Sequence, residues 1–196
     1  MVTQSTWLGL AQRNLTPRMQ YRRAIAPGGT FFFTVVTYRR RPILASAEAV
    51  DALREAFRSV RRSRPFEIDA IVVMPDHLHC IWTLPPGDVD FSTRWRLVKT
   101  GFTKHCPDIL RRAPDTARLK KGAQAVWQHR YWEHQIRDDA DFARHVDYIH
   151  YNPVRHGLAR AALDWPYSSF GRYVQAGDYA SDWGGGSVGL AGVGRE

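Results

Sequence analysis

The sequence predicts an α+β fold, a ferredoxin-like split βαβ sandwich in which an antiparallel sheet carries helices on one face and a further helix follows near the C-terminus. Three observations carry this. Extended and helical signals alternate in the order strand, helix, strand, strand, helix, strand, helix; the extended runs are aromatic and β-branched; and each helical segment shows one apolar stripe. With 196 residues, 44% of them hydrophobic and 12% aromatic, the chain can bury one core of ordinary size.

Residues 1–20 show no sustained period and read as a flexible arm before the basic Tyr21-Arg22-Arg23. Ala26-Pro27-Gly28-Gly29 is a turn, and Phe31 to Val36 reads as a strand stopped by Arg39-Arg40-Arg41-Pro42. Ser46 can cap a helix in which Val50, Leu53, Phe57 and Val60 form the buried stripe and which ends near Arg64-Pro65. Phe66 to Val73 and His79 to Leu84 pair as a hairpin across Pro75-Asp76. Ser92 is the expected cap of a second helix with Trp95, Val98, Phe102 and Cys106 on one side. Residues 107–125 hold two prolines and five basic residues without a period, which predicts a mobile basic loop. Val126 to Ile136 is the fourth extended segment. Asp138 opens a third helix, expected to finish around Asn152-Pro153 because a proline pushes its predecessor out of the helical region. The domain is therefore expected to span 21–175, with 176–196, which hold seven of the fifteen glycines, as a flexible tail.

Composition narrows the function. Lys and Arg number 28 against 19 Asp and Glu, a net charge of +9, and 24 of the basic residues are Arg, whose planar fork suits phosphate oxygens. Nucleic acid is the indicated partner class. Cys80 and Cys106 are too few for a disulfide framework, no apolar run is long enough for a membrane span, and no signal peptide is evident, so a cytoplasmic location is expected.

Two constellations carry chemistry. In Pro75-Asp76-His77-Leu78-His79 the two histidines stand at i and i+2 of a strand and share one face while Leu78 turns to the core, a spacing that serves either half of a metal site or two hydrogen-bonded surface histidines. In the third helix, Phe142, Val146 and Ile149 define the buried stripe; Tyr148 and Asn152, at i and i+4, share a flank beside His145, and Tyr151 points away.

The stretches AIVVMPDHLHCIWTLP, VWQHRYWEHQIRD and HVDYIHYNPVRHGL closely resemble the REP-associated tyrosine transposases, which belong to the single-tyrosine HUH transposase class. The resemblance runs from about Tyr21 to Trp183. It implies His77 and His79 as metal-binding histidines, Asn152 as the residue completing the metal site, and Tyr148 as the catalytic nucleophile on the C-terminal helix. It further implies a divalent cation, Mg²⁺ or Mn²⁺, and single-stranded DNA folded into repetitive extragenic palindromic (REP) hairpins, cut and rejoined through a 5′-phosphotyrosine link. Arg22, Arg23, Arg39, Arg40 and Arg41 around the first strand and Arg94, Arg96, Lys99 and Lys104 on the second helix are candidate DNA contacts. A monomer is favoured over a homodimer. The rival readings are a non-catalytic single-strand binder on the same sheet, and a zinc hydrolase using His77, His79 and Cys80 or His134.

Overall fold

The computed structural model describes residues 28–107 and 126–185. Four strands form one antiparallel sheet in the order β2-β3-β1-β4: β1 (Thr30–Val36), β2 (Glu67–Val73), β3 (His77–Thr83) and β4 (Trp132–Gln135). Helix α1 (Ala47–Ser63) joins β1 to β2, and α2 (Phe91–His105) joins β3 to β4. Because β3 lies between β1 and β2, and β1 between β3 and β4, both connections are split βαβ units, as the sequence predicts. Helices α3 (Asp139–Arg155) and α4 (Phe170–Gln175) follow.

Strand period 2 divides the side chains between two cores. Phe33, Val35, Leu78, Cys80 and Trp82 pack with α1 and α2, whereas Phe32, Ala70, Val72 and Ile81 pack with Phe142, Val146, Tyr148 and Ile149 of α3. The added helix thus takes the opposite face of the sheet from α1 and α2. On the α1/α2 side Trp82 stacks on Trp95 with ring centroids 4.2 Å apart, and Phe57 and Phe66 close around them. A Cβ on Gly101 would come within 3.2 Å of the Ala56 Cβ, so this glycine is what lets α1 and α2 approach.

Several boundaries differ from expectation for identifiable reasons. Ser46 caps α1 as predicted, accepting from the Ala49 N–H. The cap of α2 is Asp90, not Ser92; its carboxylate accepts from Thr93 N–H and the helix starts one residue earlier than Ser92. Strand β3 begins at His77, so both histidines are inside the ladder. The fourth segment is shorter than 126–136: Trp127 makes an isolated bridge to Thr37, and only Trp132–Gln135 pair continuously with β1. Helix α3 runs through Pro153 to Arg155. Proline removes one helical hydrogen bond, and in the last turn that loss is small because the helix ends two residues later with His156 N–H on the Asn152 carbonyl.

The outer edge of β2 is covered by residues 167–169, where Val73 N–H donates to Tyr167 and Ser169 N–H to Ile71. Packing then continues past residue 175, contrary to the expected tail boundary: Tyr179 and Trp183 sit against Phe170, at 5.4 and 5.5 Å between rings. The expected arm at 1–20, nearly all of the basic loop and residues 186–196 lie outside the described residues.

Candidate active site

His77 and His79 project from β3 toward α3, both buried, with ring centroids 4.8 Å apart. Each has its Nδ1 fixed by a neighbour. Asp76 Oδ1 lies 2.6 Å from His77 Nδ1, and Thr34 Oγ1, directly across the β1–β3 ladder, lies 2.9 Å from His79 Nδ1. That pins both rings and turns the buried Nε2 of each away from these partners, as the nitrogen a ligand role would use. Burial alone would raise the Asp76 carboxyl, but the hydrogen bonds and charges of His77 and Arg40 outweigh it and hold it below the usual carboxylate range.

Helix α3 brings Tyr148 to this pair. Its ring meets His79 edge-on at 5.1 Å, Phe32 stacks on His79 at 5.5 Å and meets the tyrosine at 6.0 Å, and the Arg155 guanidinium lies over the Tyr148 ring at 5.6 Å. Asn152, one turn further, is fully buried on the same helix with its amide oxygen closed off from solvent. The register inferred from the apolar stripe therefore holds: Tyr148, not Tyr151, faces the histidines. Tyr151 is not open to solvent as expected, since its ring packs against Trp183 at 6.1 Å. Two residues given no role from the sequence join the site, Arg155 and His156, whose ring is 5.8 Å from His77. Continuing the series Tyr148, Asn152 by one more turn reaches His156, a step concealed by reading Pro153 as the end of the helix.

A second cluster lies at the start of α3. His134 Nε2 is 2.9 Å from Asp141 Oδ2, and His145 Nδ1 donates to the Asp141 carbonyl at 2.7 Å. These three are the described residues whose acidic and imidazole donors are close enough to share a metal. However, the Asp141 carboxylate already accepts from Arg137 and Arg144, and despite burial the His134 and Arg137 hydrogen bonds hold it well below its ordinary value. A carboxylate that neutralises two guanidinium groups suits a clamp between β4 and α3 better than a cation site. The zinc hydrolase reading fails on the same geometry: Cys80 points into the α1/α2 core, where burial pushes its thiol up, and His134 is committed to Asp141.

The candidate DNA contacts separate sharply. Arg94 is a correction: only 2% exposed, its guanidinium takes both carboxylate oxygens of Asp88 at 3.0 and 2.6 Å and the carbonyls of Arg64, Pro65 and Asp90. Lys99 is half-buried and donates to the Gln128 carbonyl at 3.0 Å. Arg40 pairs with Asp76 at 3.1 Å. Arg39 is exposed and Arg41 half-buried in the turn after β1, and Arg96 and Lys104 are exposed on α2, across the sheet from Tyr148. Arg22 and Arg23 lie outside the described residues.

A split βαβ sheet thus sets two strand-borne histidines against a tyrosine on a following helix, which also carries Asn152. The family model described as "Transposase IS200 like" matches residues 30–152, and the chain belongs to this family. It is 48% identical over 166 residues to a REP-associated tyrosine transposase of Escherichia coli (strain K12), covering 85% of this chain and 91% of the relative. A putative REP-associated tyrosine transposase of Haemophilus influenzae is 42% identical over 165 residues, 84% and 93% of the two chains. A solved structure of a REP-associated tyrosine transposase bound to a REP hairpin matches with a TM-score of 0.69 at 43% identity, covering 91% of this chain and 99% of that one. Among the described residues no helix is long and apolar enough to cross a membrane.

Proposed function

We propose that this transposase cleaves and rejoins single-stranded DNA at REP-type hairpins, with Tyr148 as nucleophile and His77, His79 and Asn152 as the ligands of Mg²⁺ or Mn²⁺. The observation that carries the reading is the Tyr148 ring 5.1 Å from His79, with His77 4.8 Å beyond it. The donor set fits the cation: two imidazoles with Nδ1 engaged elsewhere and one amide oxygen leave positions open for phosphate and water, unlike a closed thiolate site. Held by His77, His79 and Asn152, a divalent cation would supply positive charge to the scissile phosphate.

The remaining steps belong to the chain. Tyr148 Oη attacks phosphorus as the phenol gives up its proton; the new O–P bond forms while the P–O3′ bond breaks, and the departing oxygen takes up a proton as a 3′-OH. The 5′-phosphotyrosine keeps one ester for the one broken, so attack by another 3′-OH reverses the step and joins strands. Phe32 holds the imidazole and the phenol in one packed group, and Arg155 over the tyrosine offers charge to the DNA backbone on the site's own side.

The test is a denaturing gel with a labelled single-stranded REP hairpin and Mn²⁺. Wild type should form a covalent protein–DNA adduct, Tyr148→Phe should form none, and Tyr151→Phe should retain it. An adduct that survives in Tyr148→Phe and vanishes in Tyr151→Phe overturns the nucleophile. Hairpin binding without any adduct in wild type replaces the enzyme with a binding module.

A further inference from the structure

The triplet Arg39-Arg40-Arg41 looks in sequence like three equivalent phosphate contacts, and the structure makes them unequal. Arg39 and Arg40 are the only non-glycine described residues with positive φ, at 57° and 50°, the left-handed region that side chains seldom occupy. Two such residues in succession persist only where the surroundings enforce them. Here the turn is sewn to the loop that carries Asp76. Thr37, fully buried, donates its N–H to the Asp76 carbonyl at 2.8 Å, and its hydroxyl reaches the carbonyls of Arg41 and Asp76 at 2.8 and 2.9 Å, sharing one proton between them. Leu44 N–H adds a bond to the Pro75 carbonyl at 2.9 Å.

The consequence of this backbone is where it puts the Arg40 side chain. Its Nη1 takes Asp76 Oδ2 at 3.1 Å, while the other oxygen of the same carboxylate takes His77 Nδ1 at 2.6 Å. A carboxylate held at both oxygens cannot swing, and neither can the imidazole it grips. We propose that Arg40 is a positioning residue of the cation site, whose strained turn fixes Asp76 and through it the His77 ring that presents Nε2 as ligand; this rests on the cation site proposed above. Arg39 has no such part, its guanidinium lying over the Tyr38 ring at 5.2 Å. An exposed ion pair is ordinarily weak because two flexible side chains must be immobilised. Here both backbones are already fixed by Thr37, so the pair loses side-chain freedom alone.

The experiment measures Mn²⁺ affinity of the full chain without DNA, by the spin-resonance signal of free Mn²⁺, beside hairpin affinity without metal. Arg40→Gly is the informative variant, because glycine relieves the positive φ and so keeps the turn folded while deleting the guanidinium. It should weaken Mn²⁺ about two- to fivefold and leave hairpin affinity within about twofold. Asp76→Asn should weaken Mn²⁺ by about 10- to 100-fold. Arg40→Lys should recover part of the loss, and Arg39→Ala should bind Mn²⁺ as wild type does. Arg40→Gly with wild-type Mn²⁺ affinity and weakened hairpin binding makes Arg40 a phosphate contact and overturns the inference. If His77→Ala/His79→Ala binds Mn²⁺ as well as wild type, the cation site itself fails and the inference falls with it, an outcome the variants at Arg40 cannot mimic.

Discussion

The two faces of the sheet share strands and differ in what they bury. Along β3, Leu78, Cys80 and Trp82 enter a core of aromatic and aliphatic side chains, while the alternate positions place His77 and His79 beside Asp76, Thr34, Tyr148 and His156. Burying polar groups costs free energy unless each finds a partner, and on this second face imidazole, hydroxyl and carboxylate are matched in pairs. The aromatic face is apolar along the strands themselves and confines its matched charge to Arg94 of α2 and the Asp88 beside it. One face can therefore hold buried polar groups for chemistry because the other supplies the stability. Truncation should split the two roles. Trp82→Ala, which empties a site between Trp95, Phe57, Phe66 and Phe33, should lower unfolding free energy by about 3–5 kcal/mol in a urea titration. His79→Ala should abolish the DNA adduct at a cost of about 1–2 kcal/mol, mostly from stranding Thr34. A larger loss from His79→Ala than from Trp82→Ala breaks the division.

How much of this was legible in the sequence follows from which interactions are local. Alternation in β3 and the stripe in α3 are properties of a few neighbouring residues, and they were enough to turn His77 and His79 to one face and Tyr148 toward them. What the sequence concealed depends on partners far away. Arg94 reads as a surface cation on a helix until the fold brings the carbonyls of Arg64 and Pro65 to it. Asp76 reads as a turn residue until Arg40 arrives from across the sheet end. Tyr179 reads as part of a glycine-rich tail until Asp147 and the α4 aromatics are seen beside it. Pro153 was legible but overweighted, since a proline in a final turn disrupts little.

Within the α3 face the polar groups themselves differ, and pH separates them. His150 is fully buried against Phe170, Tyr173 and Tyr179, with Nε2 on Ser169 Oγ at 2.9 Å. Burial, assisted by the charge of Arg172, pushes its pKa down to about 3. The native state therefore refuses a proton that the unfolded chain takes up near 6.5, so stability is held above pH 6.5 and lost as the pH falls toward 3. His150→Gln, which can keep a hydrogen bond to Ser169, should flatten that slope by up to about one proton when wild type and variant are compared between pH 7 and 4. Equal slopes would show that His150 reaches solvent and that the α3 face is wetter than its packing implies.

The smallest effect tests the other face, at a cation there that among the described residues has no carboxylate partner beside it in the way that Arg94 has Asp88. Lys99 of α2 donates to the Gln128 carbonyl at 3.0 Å and lies 5.2 Å from the centre of the Tyr131 ring, and burial lowers its pKa to about 8. The native state thus releases a proton that the unfolded chain keeps up to about 10.5, so the cost of the buried ammonium is present in full below pH 8 and fades as the pH rises from 8 to 10.5. Lys99→Met keeps the packed stem and removes the titration. Measured as the difference in unfolding free energy between wild type and variant, the balance should move toward wild type from pH 7.5 to 10 by on the order of 1 kcal/mol, limited by the residue's partial exposure. The sign is what decides: a balance moving toward the variant means that the ammonium, with its carbonyl and aromatic partners, is stabilised where it sits, and the α1/α2 side then holds Lys99 as a favourable charge beside the paired Arg94.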